Sequence, residues 1–351
     1  MELMVAMGLS MLILGVATAL FKNSTDTSSR GLSQIEMQQN LRGSLNLVAR
    51  DVSVAGVGGF PRVGVTLPTA SPISPVKYAC DAVTAPTKPP TCPPFADTAK
   101  GTYANGTLYP INVFSGAGPT AFSQATDVIV TVAVDSTFCS ATPVTVDVKT
   151  APTHPTATLP AVKPASCTSG TLTASPGDVF MFTGASGSVV AELTAVNTAK
   201  TVLTFGDSDA LNMNQSAATA NTINALLPGG GLGLTMSRLN VVTYYVSFTA
   251  PTLMRQVNAQ SPAPAAENIE NLQFTYDLFG INSFGNPVTT LGVSTLDRAA
   301  DPPQDSTQIR KVNISVTGRS RFPDSRGEFR RAALVTFVSP RSLSFFDRYA
   351  N

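Results

Sequence analysis

The sequence predicts an α+β fold: a long N-terminal helix, half membrane span and half amphipathic, packed on a mostly antiparallel β-sheet domain. Three observations carry this. Leu3 to Phe21 reads LMVAMGLSMLILGVATALF, nineteen residues without a charge. A helix of that length covers roughly 28 Å, about the hydrocarbon thickness of a bilayer. Beyond it, Leu32, Ile35, Leu41, Leu45, Val48, Val52 and Ala55 recur mostly at spacings of three and four, an apolar stripe along a helix. After Pro61 that period disappears, and short β-branched runs alternate with turn residues.

Lys22 closes the apolar run, and Gln34, Glu36, Gln38, Gln39, Asn40, Arg42, Asn46, Arg50 and Asp51 cover the rest of the second half. No proline interrupts before Pro61, and the glycine-rich stretch from Gly56 to Pro61 ends the helix. The expected organisation is residues 1–22 as the membrane half, 23–58 as the amphipathic half, and 59–351 as a β-rich exported body with Pro/Thr-rich loops. The stripe, with Leu41, Leu45, Val48 and Val52 at its centre, is expected to be covered by sheet. Glu2 stands at the head of the span. A carboxylate facing lipid there is costly and calls for a partner, unless it lies in the hydrated interface.

The body reads as follows. Proline is dense from Pro68 to Pro94, so residues 61–100 are loop-like, with room for short strands at Val63–Leu67 and Val76–Tyr78. Leu108–Phe114, interrupted by Pro110, fits an edge strand. Asp127–Val134 is a strong strand, with Val144–Val148 as its expected hairpin partner, and Thr150–Pro164 reads as a surface excursion. Asp178–Thr183, Val189–Val196 and Thr201–Phe205 form an expected antiparallel meander. A short helix is expected near Ala217–Leu227, and Pro228 to Gly233 breaks the chain. Strands follow at Leu239–Phe248, Leu253–Val257 and Ile269–Leu278. Ile309–Gly318 and Phe329–Val338 close the domain as a hairpin. There is no internal repeat and no second membrane span.

Only 13% of residues are charged, about half the usual share. With abundant Thr, Ser, Ala, Gly and Pro, this fits an exported protein whose surface carries hydroxyls more than ions. A net charge of +1 argues against general nucleic-acid binding. The cysteines are Cys80, Cys92, Cys139 and Cys167, an even count in turn-rich sequence that points to two disulfides in an oxidising compartment. Three pairings are open. The expected one is local, Cys80–Cys92 and Cys139–Cys167, each stapling one loop. No CxxC pair accompanies the single His154, so zinc is the weaker reading.

Glu2-Leu3-Met4-Val5-Ala6-Met7, followed by an apolar run with interspersed Gly and a long amphipathic continuation, resembles the start of a type IV pilin or pseudopilin. Members of that family are cut after a glycine and begin Phe-Thr-Leu-x-Glu-Leu. Their glutamate is thought to pair with the terminal amine of a neighbouring subunit inside the filament. Here the match begins at Met1; the glycine, the phenylalanine and the basic leader are absent. Later blocks are similar to PilW-type minor pilins and J-type minor pseudopilins of type II secretion. They are Leu47–Asp51 with Ala55-Gly56, Gly177–Phe180, Val242–Val246, Leu253–Val257, Glu267–Tyr276 and the final strand to Leu343. They cover most of the chain in scattered order-preserving pieces, with the Pro-rich loops unmatched.

The resemblance implies a minor pilin in the priming or tip complex of a type IV pilus, or a minor pseudopilin. Glu2, Leu3 and Val5 would serve filament assembly. Its partners would be other minor and major pilins or pseudopilins. It would cross the bacterial inner membrane once, with a periplasmic body, before entering the filament. Read from Met1, the chain also lacks a basic residue ahead of the span, while Lys22 follows it, an arrangement that favours the wrong orientation. Both departures vanish if translation starts upstream at a basic leader, with a prepilin peptidase as a further partner; that is the expectation.

Catalytic constellations are weak. Gly184–Ser188 looks like a nucleophile elbow without its last glycine and fits a turn better. Gly229–Gly233 is not followed by Lys-Ser or Lys-Thr. Asp207, Ser208, Asp209, Asn212 and Asn214 offer oxygens for calcium but lack EF-hand spacing. Glu267 and Glu270 run straight into a strand, a poor setting for a glycosidase pair. Residues 298–348 hold ten of the 23 Lys and Arg residues, a face that suits solvated strands better than DNA. No enzyme activity and no cofactor are expected, and nucleic acid is not an expected partner. The competing function is a membrane-anchored surface binding module.

Overall fold

In the computed structural model the described residues are 2–68, 107–121, 124–141, 144–150, 155–158, 174–198, 202–207, 209–211, 213–215, 220–226, 234–247, 249–297, 300–302, 304–323 and 327–344. Helix α1 (Glu2–Ser53) runs unbroken for 52 residues, about 78 Å at 1.5 Å per residue. The hydroxyls of Ser10, Thr18, Thr25 and Thr27 donate back to the carbonyls of Ala6, Leu14, Phe21 and Asn23. The helix thereby satisfies these four hydroxyls with its own backbone. Past Ser53 the chain turns away at Gly56, whose φ of +75° is the left-handed conformation that favours glycine. The Gly56 amide donates to Val132 O at 2.6 Å. The Ser342 hydroxyl donates to the Ala55 carbonyl and fills the space a side chain at 56 would need.

The strands follow in order. The first group is β1 (Val65–Thr66), β2 (Thr107–Leu108), β3 (Ile111–Phe114), β4 (Thr120–Ala121), β5 (Gln124–Ala125) and β6 (Val128–Val134). Next come β7 (Val144–Thr150), β8 (Pro155–Thr158), β9 (Val179–Gly184), β10 (Gly187–Glu192), β11 (Ala195–Val196) and β12 (Val202–Thr204). The last group is β13 (Leu234–Val246), β14 (Thr252–Val257), β15 (Ala263–Glu267), β16 (Ile269–Ile281), β17 (Pro287–Val293), β18 (Ile309–Arg319) and β19 (Arg331–Val338), before helix α2 (Arg341–Ser344). All pairings are antiparallel within the sheets that bear on α1 and the body core.

A four-stranded sheet in the order β17-β16-β18-β19 is the seat of α1. Period-two burial puts Leu272, Phe274, Tyr276 and Leu278 of β16 and Val312, Ile314 and Val316 of β18 on one face. Against them lie Met37, Leu41, Leu45, Val48 and Val52 of α1. Gly318 lets the helix approach: a Cβ there would come within 3.1 Å of Leu41 Cδ2.

The larger sheet runs β10-β9-β13-β7-β8-β12-β11 and closes on itself. Strand β10 pairs with β9, and two residues later β11 pairs with β12 at the other end of the order. Leu193 N donates to Asp178 O at 2.8 Å and Thr194 N to Thr204 O at 2.9 Å, so the crossing is hydrogen-bonded throughout. The result is a small barrel filled by Phe138, Val146, Phe180, Phe182, Leu203, Phe205 and Met236 with their neighbours. Phe180 and Phe182 both meet Phe205 edge-on, at 6.3 and 5.1 Å between ring centroids.

Strand β13 joins everything. It pairs with β6, β7, β9 and β14. Leu234 and Met236 enter the barrel core, Leu239, Val241 and Tyr245 a second core, and Val242, Tyr244 and Val246 the core under α1.

Several expectations are corrected. Leu32 and Ile35 are 61% and 53% exposed, and the buried stripe starts at Met37. One turn before Met37 the face passes through Ser33, which is half-buried, leaving Leu32 and Ile35 to either side. Strand β7 pairs with β13 and β8, not with β6. The expected surface excursion contains β8, which bridges β7 and β12. The meander splits into two hairpins, at opposite ends of the sheet order. Between Ala217 and Leu227 the described residues form only a 3-10 turn, Asn224–Leu226. Val76–Tyr78, His154, Ser208, Asn212, Gly229–Gly233 and the cysteines Cys80, Cys92 and Cys167 lie outside the described residues. Cys139 is disulfide-bonded, and its expected pairing with Cys167 therefore remains an expectation.

Candidate functional site

The candidate site is α1 itself, because its two halves meet different surroundings. Leu3, Met11, Leu14 and Phe21 are 76%, 75%, 70% and 76% exposed, and no element of the body covers them. This is the one helix among the described residues long and apolar enough to cross a membrane. Glu2 and Val5 lie in its first turns. The second half is opposite in character: Leu41, Val48 and Val52 are completely buried and Leu45 nearly so.

A polar latch fixes this half in place. Asp51 is buried where α1 crosses β13 and β14. Its Oδ2 accepts from Tyr244 Oη at 2.7 Å and from Arg255 Nε at 2.9 Å. Arg255 also donates to Tyr244 Oη at 3.0 Å. Burial, and then the bond to the Asp51 carboxylate, push the Tyr244 hydroxyl well above its ordinary range, so it stays a donor. Burial works against the Arg255 charge, but Asp51 outweighs it and raises its pKa. Further along, Asn40 Nδ2 donates to Glu267 O at 3.4 Å. Three of the sequence blocks singled out separately, around Asp51, Tyr244 and Arg255, thus meet at one point. Their contact is not readable from spacing, since Asp51 lies about two hundred residues from its partners.

The other candidates have structural uses. Gly184–Ser188 is the turn between β9 and β10, and Ser188 Oγ lies 3.0 Å from Thr183 Oγ1. Glu270 pairs with Arg319 at 3.3 Å and with Arg331 at 2.8 Å, and Lys311 pairs with Asp277 at 3.2 Å. The basic C-terminal strands therefore spend part of their charge within the sheet. Asp209 Oδ2 accepts from the amides of Met213 and Asn214, at 2.5 and 3.2 Å. Glu192, missed in the sequence, holds the same loop by accepting from Ala210 N at 3.1 Å and Leu211 N at 2.7 Å. Burial, offset in part by these amides, pushes Glu192 up to about 7 and Asp209 up to about 6. Among the described residues no group of three or more His, Cys, Asp or Glu is arranged to hold a metal ion.

No family model matches the chain, and neither curated proteins nor solved structures give a match.

Proposed function

We propose that the chain is a minor pilin that takes part in assembly of a type IV pilus, entering the filament through its N-terminal helix. One observation carries the proposal: a single uninterrupted helix whose first half is bare and apolar while its second half is sealed to an antiparallel sheet. Such a helix leaves the body attached to a rod whose apolar half no other element among the described residues covers. In lipid the rod is solvated by acyl chains; outside lipid it needs other helices. The priming or tip role comes from the resemblance of the sequence blocks, and a minor pseudopilin of type II secretion would use the same helix.

Deleting the gene in its source cell, and restoring it with either the parent or Glu2→Val, tests this. Loss of surface filaments, or of secretion, that the parent rescues and Glu2→Val does not is the expected result. Unchanged filaments and secretion, with the chain remaining in the membrane fraction, would overturn the proposal.

A further inference from the structure

We infer that the loop carrying Asp209–Leu211 and Met213–Gln215 is a pH-operated flap on the barrel wall, shut while the Glu192–Asp209 carboxyl pair keeps a proton and released once both carboxyls are ionised. Glu192 ends β10, and both carboxyls are buried. Three of their four oxygens are committed to loop amides. Glu192 accepts from Ala210 and Leu211, one on each oxygen, and Asp209 Oδ2 accepts from Met213 and Asn214. The fourth, Asp209 Oδ1, is sealed from solvent and accepts no hydrogen bond. Asn214 ties the same loop to β10: its Nδ2 donates to the carbonyls of Glu192 and Gly206, and its Oδ1 accepts from the Glu192 amide.

What the pair lacks is a positive charge. None of the ion pairs among the described residues includes Glu192 or Asp209. Strands β1 and β9 and the 3-10 turn Asn224–Leu226, all packed against β10, carry no Lys, Arg or His, and neither do β11 and β12 ahead of the loop. Asp207, exposed at the start of the loop, is negative too and adds to the push on Asp209. Two buried carboxylates at one place, without a cation, do not both ionise cheaply. The amides favour the ionised forms, but burial outweighs them on both residues, and the Asp209 charge adds to it on Glu192. The two titrate as a pair, so the proton belongs to the pair, and Asp209 Oδ1 is the oxygen left open to take it. A calcium ion takes about six to eight oxygens, and this pair offers one uncommitted. Ionising both carboxyls sets like charges against each other in a sealed wall, and moving the loop relieves them. Behind it lie Leu211 and Met213, buried in the second core, and a cavity lined by Val190, Ala191, Phe205 and Ile223. Closure raises both pKa values, so it is favoured in acid and lost as pH rises through about 6 to 7. The inference is independent of the pilin reading.

Amide hydrogen exchange on the full-length chain in detergent tests it, at pH 5 and pH 8, with rates corrected for the intrinsic pH dependence of exchange. Between the two, the amides of Ala210, Leu211, Met213 and Asn214 should lose at least about tenfold more protection than those of β9 and β13, the equivalent of one pKa unit in the opening equilibrium. Glu192→Gln and Asp209→Asn each leave a single ionisable carboxyl in the pair, and either variant should lose most of this loop response. Equal loss of protection in loop and strands, no loss in the loop, or a full response in either variant would overturn the inference. So would a response that calcium chloride abolishes and EDTA restores, because the missing charge would then be a metal ion and not a proton.

Discussion

Asp51 shows how much one side chain contributes to holding the helix on the body. It is 7% exposed and binds both Tyr244 and Arg255. Replacing it by Asn keeps the shape but removes the charge that Arg255 faces. The expected cost is about 2–3 kcal/mol, at the lower end for breaking a buried pair because Arg255 is partly solvated. Equilibrium denaturation should show this as a lower midpoint with an unchanged slope. Val48→Asp, in contrast, buries a charge with nothing to pair with and should cost several kcal/mol. Leu32→Asp, by the same chemistry at an exposed site, should stay within about 0.5 kcal/mol of the parent. Equal melting of the Val48 and Leu32 variants would contradict the seat described for α1. Tyr276 offers the reverse case: its hydroxyl is fully buried in the core under α1 without a hydrogen-bond partner. Tyr276→Phe removes that unsatisfied group and should leave stability unchanged or raise it by up to about 1 kcal/mol.

Elements differed in how legible they were, and the reasons are physical. Strands β6, β16 and β18 announced themselves because β-branched or alternating apolar runs leave one solution. Strands β8, β15 and β17 were missed: Pro155–Thr158, Ala263–Glu267 and Pro287–Val293 contain proline or little apolar surface, and only their neighbours make them strands. Barrel closure was illegible too, since the ring is completed by pairings such as β7 with β13 that no local pattern encodes. Closure also creates the site where Glu192 on β10 holds the loop at residues 209–214. Glu192 titrates at about 7 against an ordinary 4.5, and Asp209 at about 6 against 3.8. Between those limits the folded chain keeps protons that the unfolded chain has released. The stability these two groups contribute should therefore fall as pH rises from about 4 to 7 and be lost above 7. Asp135 and Asp277 act with the opposite sign. For each, burial would raise the pKa, but hydrogen bonds from Thr137 and Arg238 on Asp135, and from Gly292, Lys311 and Asn313 on Asp277, win and lower it. Their contribution is lost only as pH falls below about 3.8. Thermal melts at pH 5 and pH 8 check the sign, and Glu192→Gln should flatten the difference.

At the scale of the whole molecule, the body from about Arg30 onward carries three connected cores, and none of their described residues comes from the first twenty-one. Residues 30–351 should fold as a soluble domain with the melting temperature of the full chain in detergent. Melting well below it would mean that the exposed half of α1 supports the body. That a long N-terminal helix, apolar in its first half, precedes a β-rich body was legible in the sequence because hydrophobic length and period are local. The Asp51 latch was not, because it is a meeting of distant segments. The central claim is that α1 persists as one continuous rod in the working protein, its apolar half serving assembly. The most direct measurement is the intact mass and N-terminal sequence of the chain recovered from its source cell. A mature chain that keeps Leu3 to Phe21 is the predicted result. A mature chain that begins after Phe21 would make the apolar run a discarded signal sequence and contradict the account.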